Sequence, residues 1–229
     1  MLVALYNGRK NTTDIIALEP DNPTAYVHLA IINMAYANQE QSDEERKHFL
    51  DEALQLYEQA IQKKSNLASA YYGEAVVYER MANYDQAIEN INKAVAAAPN
   101  SINYLYEAGR MLFNRGIVNV SSKNDSQIAA PPIDATTDTQ TADNELSANQ
   151  NTSNTRGNVS MNDDLRAATT IFNQIIAANP QHANATYSLA LIYEITGDTA
   201  NAKKYYEKLV DIVPDQVTKD AILQKLSTL

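Results

Sequence analysis

The chain of 229 residues contains no cysteine and no tryptophan, and it carries fewer basic than acidic side chains. Without cysteine there can be no disulfide, no thiolate nucleophile and no thiolate metal ligand. With 18 lysines and arginines against 28 aspartates and glutamates, the formal net charge is −10. Because nucleic-acid binding depends mainly on basic side chains that neutralise phosphates, nucleic acid is not an expected partner.

Long apolar runs are also missing. No stretch approaches the roughly 20 apolar residues that span a bilayer, and the apolar run over 2–5 is too short for the core of a signal peptide. As written, the sequence predicts a soluble segment without membrane contact of its own. Its cellular compartment stays open.

Clusters of catalytic or metal-binding residues are missing too. The three histidines, His28, His48 and His182, are expected at the surface or at helix ends, with no carboxylate or second histidine at ligand spacing. The sequence has no glycine-rich phosphate loop and no serine elbow. We therefore expect neither an enzyme nor a bound metal or cofactor.

The stretch 68–100 contains the pattern from which the rest of the chain is built. Tyr71, Ala75 and Tyr78 fall on one stripe of a helix over about 67–81. After a break at 82–83, a second stripe of apolar residues follows at the same period. Pro99, which cannot continue a helix, closes the unit. This spacing predicts a helical hairpin.

The first helix carries an aromatic, a small residue and a second aromatic. The second helix carries alanine, a bulky residue, alanine and a closing proline. This pattern resembles the tetratricopeptide repeat. Glu74 departs from that pattern, because the family usually has leucine there. The family's period of 34 residues separates Ala53 from Ala87 and Pro180 from Pro214. The resemblance implies an all-α fold, a right-handed superhelix of about four helical hairpins plus a C-terminal capping helix.

The period divides the chain into repeats and insertions. Residues 1–22 are interpreted as the remnant of a preceding repeat, so we hypothesise that Met1 begins part of a longer protein. The repeats cover 23–66, 67–100, 101–181 and 182–214, and the capping helix covers 215–229. A short polar insertion lies inside the first repeat. A longer polar segment, at about 117–162, interrupts the third repeat and is predicted to be disordered.

Three positions are predicted to mark helix ends. Ser42, with Glu45 three residues later, forms a capping-box pattern at the start of a second helix. Gly116 suits a left-handed helix end, and Asp215 can cap the last helix. The predicted apolar stripe of that last helix consists of Ala221, Ile222, Leu226 and Leu229.

Candidate binding residues lie on the first helices, on the face opposite the packed stripe. In the family that the chain resembles, first helices line a concave groove that holds peptides. The resemblance thus implies a non-catalytic scaffold for a protein or peptide segment. Tyrosine offers area at low rotamer cost, and arginine offers a bidentate fork. We call the candidates the inner-face residues: Tyr72, Val76, Arg80, Tyr106, Arg110, Phe113 and Tyr187.

Within this set, Tyr72, Tyr106 and Tyr187 are expected to form an aromatic ladder. Arg80 and Arg110 are candidate anchors for a carboxylate or a backbone carbonyl. Repeated tyrosines at this spacing are also ordinary packing between repeats, and that interpretation stays open. The lysine and asparagine set with which some family members clamp the terminal carboxylate of heat-shock chaperones is absent, so that partner class is not expected.

Two other functions stay open. The chain could be the soluble tail of a larger membrane protein or enzyme, such as a glycan-assembly factor, and serve it as a docking module or spacer. Self-association through exposed repeat ends is a third possibility. The sequence identifies neither the partner nor the oligomeric state.

Overall fold

The computed structural model describes residues 2–40, 42–121 and 159–229. Within these ranges the chain forms ten α-helices and no β-strand. The helices are α1 Leu2–Leu18, α2 Pro23–Ala37, α3 Asp43–Lys63, α4 Ala68–Arg80, α5 Tyr84–Ala97, α6 Ile102–Ser121, α7 Asp163–Ala178, α8 Ala183–Ile195, α9 Thr199–Ile212 and α10 Gln216–Thr228. They belong to two compact units, residues 1–104 and residues 105–229.

Both predicted helix caps are present. Ser42 Oγ accepts a hydrogen bond from the Glu45 backbone N–H at 3.4 Å, and Asp215 Oδ1 accepts one from the Thr218 N–H at 2.7 Å. Each bond satisfies an N–H group that has no partner inside its own helix. α3 and α10 therefore begin where the sequence predicted.

Small residues line the helix crossings of the first unit. Its hairpins α2–α3 and α4–α5 pack through alanines that are at most 1% exposed, because a methyl side chain lets two backbones approach closely. These alanines are Ala30, Ala53, Ala60, Ala75, Ala87 and Ala94. Large side chains fill the space beside them. Tyr57, 1% exposed, donates a hydrogen bond from its hydroxyl to Met34 Sδ at 3.3 Å.

A glycine is required where α4 packs against α3. A Cβ atom added at Gly73 would lie 2.1 Å from a carbon of the Tyr57 ring, well inside van der Waals contact. Gly73 therefore provides the space that the tyrosine ring occupies.

The second unit is built around α7, α8 and the part of α6 from Leu105 onward. Its largest cluster includes Leu165, Phe172, Leu189 and Ile192, all 0% exposed. A smaller cluster around Tyr206 lies between α8, α9 and α10. α10 thus covers apolar surface of the helices before it, as the sequence predicted for a capping helix.

One residue of the predicted α10 stripe is misplaced. Ile222 is 3% exposed, and Leu226 and Leu229 are partly buried against the Tyr206 cluster. Ala221 is exposed instead. The packed side of α10 is narrower than predicted, since it begins at Ile222.

Gly116 does not end a helix, so the sequence prediction for it is wrong. α6 continues through Gly116 to Ser121. Among the glycines that the structure describes, the positive φ is at Gly197. A Cβ atom at Gly116 would lie 3.0 Å from Leu165 Cγ. Glycine is used at this position for close packing against the start of α7.

The insertion predicted over 117–162 includes residues at both ends that belong to the packed structure. Ile117 lies within α6, and both Ile117 and Val159 are 3% exposed in the same core cluster. The Val159 N–H donates to Ile195 O at 3.2 Å, and Asn162 Nδ2 donates to Gly116 O at 2.8 Å. The remaining predicted segment, 122–158, lies outside the described residues.

Candidate functional site

Three inner-face residues lie on α4, in the first unit. Tyr72 is half-buried, and the centroid of its ring is 5.5 Å from that of Tyr104. Val76 is 2% exposed. Arg80 Nη1 donates to Asn38 Oδ1 at 2.5 Å and lies 3.4 Å from the Met34 carbonyl oxygen, so it ties α4 to the C-terminal end of α2.

The other four inner-face residues lie in the second unit. Tyr106 is 8% exposed, with its ring centroid 5.7 Å from that of Phe172, and Phe113 is 4% exposed. Arg110 makes an ion pair with Glu107 one helical turn earlier, at 2.8 Å. The Tyr187 ring is partly buried, with its centroid 6.3 Å from that of Tyr206.

These positions divide the predicted set by accessibility. Val76, Tyr106 and Phe113 are buried, so their side chains offer little area to a ligand, and packing accounts for them. Tyr72 and Tyr187 are the partly exposed tyrosines of the set. The aromatic ladder stays a prediction.

A residue outside the seven inner-face residues offers more apolar surface. Ile31 on α2 is 47% exposed. It falls on the inner face by the spacing that gives Val27, Ile31 and Met34 in the first repeat, where Val27 and Met34 are buried. Helical spacing gives Ile31 the same side of α2 as Val27 and Met34, but the sequence contains no signal that this isoleucine would be exposed while they are buried.

A polar cluster joins the first three helices. The Glu52 carboxylate accepts hydrogen bonds from Arg9 at 3.2 Å and from Asn33 at 3.1 Å, and it lies 3.4 Å from His48 Nε2. The expectation that no carboxylate stands at ligand spacing from a histidine is wrong for His48, because Glu52 follows it by four residues and lies 3.4 Å from its Nε2. Asn33, 1% exposed, is held by this cluster through its bond to Glu52.

His182 lies at a helix end, as predicted, and caps α8. Its Nδ1 accepts a hydrogen bond from the Ala185 N–H at 3.1 Å, and its ring centroid is 5.5 Å from that of Tyr106. Burial lowers the pKa of the imidazole, although the ring's backbone hydrogen bond acts in the opposite direction. The neutral ring is the form that can accept the capping bond.

A buried ion pair attaches α10 to α8. Glu194, 4% exposed, accepts a hydrogen bond from the Tyr206 hydroxyl at 2.8 Å and pairs with Lys225 Nζ at 2.9 Å. Three helices therefore converge on one carboxylate. The sequence had no signal for this contact, because the partners lie 12 and 31 positions after Glu194.

Neither a metal site nor a membrane-crossing helix is found in the part of the chain that the structure describes. No three histidine, aspartate or glutamate side chains are arranged there to hold a metal ion. No helix in residues 2–40, 42–121 and 159–229 has both the length and the apolar character needed to cross a bilayer.

The pattern of hairpins agrees with comparisons to known proteins. Family models described as tetratricopeptide repeats match residues 68–101 and residues 162–217. The chain contains tetratricopeptide repeats. Repeats of this kind generally form non-catalytic scaffolds for protein interactions. Among curated proteins, none matches the chain.

Similarity to solved structures supports the same fold. One crystal structure of MamA is 14% identical, with a TM-score of 0.58, and the alignment covers 96% of this chain and 90% of that one. A second MamA structure has a TM-score of 0.57 at 14% identity, over 91% and 82% of the two chains. The all-α superhelix of helical hairpins predicted from the sequence is confirmed.

A third similarity is weaker. The structure of YrrB, described as a TPR protein with an unusual peptide-binding site, is 22% identical over 93% of this chain and 97% of that one, with a TM-score of 0.40.

Proposed function

We propose that the chain is a non-catalytic scaffold that binds a protein or peptide segment along its first helices. Tetratricopeptide repeats over 68–101 and 162–217 support this function at the level of the fold. The observation that carries the choice of surface is Ile31, a large apolar side chain that is 47% exposed on α2. We define the α2–α4 face by Ile31, Tyr72 and Arg80.

The chemistry of the α2–α4 face suits a peptide with at least one apolar side chain. Ile31 supplies apolar area, and each Å² of such area removed from water contributes about 25 cal/mol. Tyr72 is half-buried, so a ligand can use the exposed part of its ring without reordering a flexible side chain. Arg80 is already bonded to Asn38 and is better regarded as a residue that holds α4 against α2.

Buried neighbours give this face a firm base. Val27, Met34 and Val76 are between 2% and 7% exposed, so they cannot contribute much contact area themselves. They fix the helices from which Ile31 and Tyr72 project. Rigid elements position binding side chains more accurately than loops do.

Selection from a phage-displayed library of random 12-residue peptides, followed by calorimetry with the selected peptides, tests this proposal. We expect Ile31→Asp and Tyr72→Ala each to weaken binding at least tenfold, because an aspartate cannot replace the apolar contact and alanine removes the ring. Circular dichroism of each variant should match that of the parent chain.

Ile15→Asp is the matched control. Ile15 on α1 is 44% exposed, nearly the same as Ile31, but it lies outside the α2–α4 face. Binding that is equally sensitive to Ile15→Asp, or insensitive to both Ile31→Asp and Tyr72→Ala, would reject the face. Failure of every selected peptide to bind the folded chain would favour a docking module or spacer within a larger protein.

A further inference from the structure

The C-terminal end of α6 and the start of α7 are joined by polar side chains. Arg115 on α6 donates two hydrogen bonds to the Asp164 carboxylate on α7, from Nε at 3.0 Å and from Nη2 at 2.6 Å. A pair with two parallel bonds fixes both the distance and the angle between its partners. The two side chains are 24% and 15% exposed, so water and salt screen this pair less than they screen an ion pair on the surface.

Two asparagines extend this contact. Asn119 Nδ2 donates to Asp164 Oδ2 at 3.3 Å. Asn162 bonds to both helices, because its Nδ2 donates to Gly116 O at 2.8 Å while its Oδ1 accepts from the Leu165 N–H at 2.9 Å. The same side chain therefore caps α7 and ties it to α6. We define the α6–α7 clasp by these four polar residues: Arg115, Asn119, Asn162 and Asp164.

Apolar packing accompanies the clasp. Ile117, Val159 and Leu165 are at most 3% exposed and belong to one core cluster. Farther along the same two helices, the ring centroids of Tyr106 and Phe172 lie 5.7 Å apart. α6 and α7 are thus held together near both of their ends by contacts between described residues, none of which belongs to 122–158.

We propose that the α6–α7 clasp and the packing beside it form a noncovalent joint, which keeps the third repeat assembled when the chain is cut between residues 121 and 159. A long connection between two contacting elements contributes mainly their effective concentration, on the order of millimolar or less. Proteolysis over 122–158 would then give a two-fragment chain that keeps its helices, and not two separate products. The inference does not depend on the peptide-binding function.

Cutting the full chain at one engineered position tests the joint. The recognition sequence of a specific protease is inserted between Thr136 and Thr137. The cut and uncut chains are then compared by size-exclusion chromatography at about 1 μM, well below the effective concentration that the connection supplies. We expect the two fragments to elute together at the volume of the uncut chain, with its helical circular dichroism retained. Separate elution of the fragments, or loss of the helical signal on cutting, would overturn the proposal.

Arg115→Leu tests the clasp itself. A dye on Gln174→Cys, at an exposed position of α7 in a chain without other cysteines, reports dissociation of the cut chain on dilution through fluorescence anisotropy. Arg115→Leu should weaken the association of the fragments at least tenfold, because Asp164 is left partly buried without its charged partner. Arg115→Lys keeps the charge but loses the two parallel bonds, so it should weaken the association less.

Arg166→Gln is the matched control. It removes an arginine that pairs with Asp163 on the same helix at 3.5 Å, where both side chains are exposed. Its effect on the association should be less than twofold, because exposed ion pairs contribute little. Equal weakening by Arg115→Leu and Arg166→Gln, or no weakening by Arg115→Leu, would mean that the clasp does not hold the cut chain, and the proposal would be wrong.

Discussion

Gly73→Ala should destabilise the first unit, although the same change in most helices is favourable. Replacing glycine by alanine inside a helix normally stabilises by about 0.5–1 kcal/mol, because alanine loses less backbone entropy. At Gly73 the new methyl carbon would lie 2.1, 2.2 and 2.7 Å from three atoms of the Tyr57 ring. Tyr57 is 1% exposed, so its ring has no space into which it can rotate freely.

The magnitude follows from the cost of overpacking. Forcing extra methyl groups into a packed core costs about 1–3 kcal/mol, and more when a large ring must leave its site. After the gain in helix propensity is subtracted, we expect a net loss of about 1–2 kcal/mol in the free energy of unfolding. Urea denaturation followed by circular dichroism measures this loss, and hydrogen exchange in α3 and α4 assigns it to the first unit.

Gly8→Ala is the control for helix propensity. Its added Cβ atom would lie 3.4 Å from Ile32 Cδ1, an ordinary contact, so we expect a gain of about 0.5 kcal/mol or less near the helix start. In the Tyr57→Leu background, Gly73→Ala should cost at least 1 kcal/mol less than in the parent chain. The packing argument fails if Gly73→Ala stabilises the chain as Gly8→Ala does, or if Tyr57→Leu leaves its cost unchanged.

Two predictions concern the second unit. Lys225→Gln should destabilise α10 by about 1–3 kcal/mol, because Glu194 loses a buried charged partner. Increased hydrogen exchange in α10 measures this loss. Adding Glu194→Gln to Lys225→Gln should recover part of the lost stability. Since burial lowers the pKa of His182, the stability from its neutral cap should be present above about pH 6.5 and be lost as the pH falls below that value. His182→Asn, which keeps a capping side chain, should remove the pH dependence of Ala185 amide exchange; an unchanged dependence would mean that another group titrates.

The hairpins could be predicted from the sequence because their packing rests on small residues at fixed intervals. Ala53 and Ala87, one period apart, are both at most 1% exposed. Gly116 was misassigned because a glycine at a helix end and a glycine at a close helix contact look the same in one sequence. The contact that distinguishes them, with Leu165, crosses 49 residues.

The candidate site could be predicted only in part. Helical spacing gives the side of a helix, which is why Tyr72 and Val76 were placed on the inner face. Exposure depends on the neighbouring helices, and these bury Val76 but leave Ile31 at 47%. No rule of spacing within one repeat contains that information, since it depends on the size of side chains in adjacent repeats.

Buried polar side chains make similar repeats different from one another. Buried alanines occur in the described helices of both units, so apolar packing alone would tolerate the wrong neighbour. Asn33 requires Glu52 of α3, and Glu194 requires Tyr206 and Lys225 of α9 and α10. In a mispaired arrangement each would be buried without its partner, at a cost of about 1–3 kcal/mol or more for the charged group. These contacts therefore favour the native order of helices over arrangements that the 34-residue period would otherwise allow.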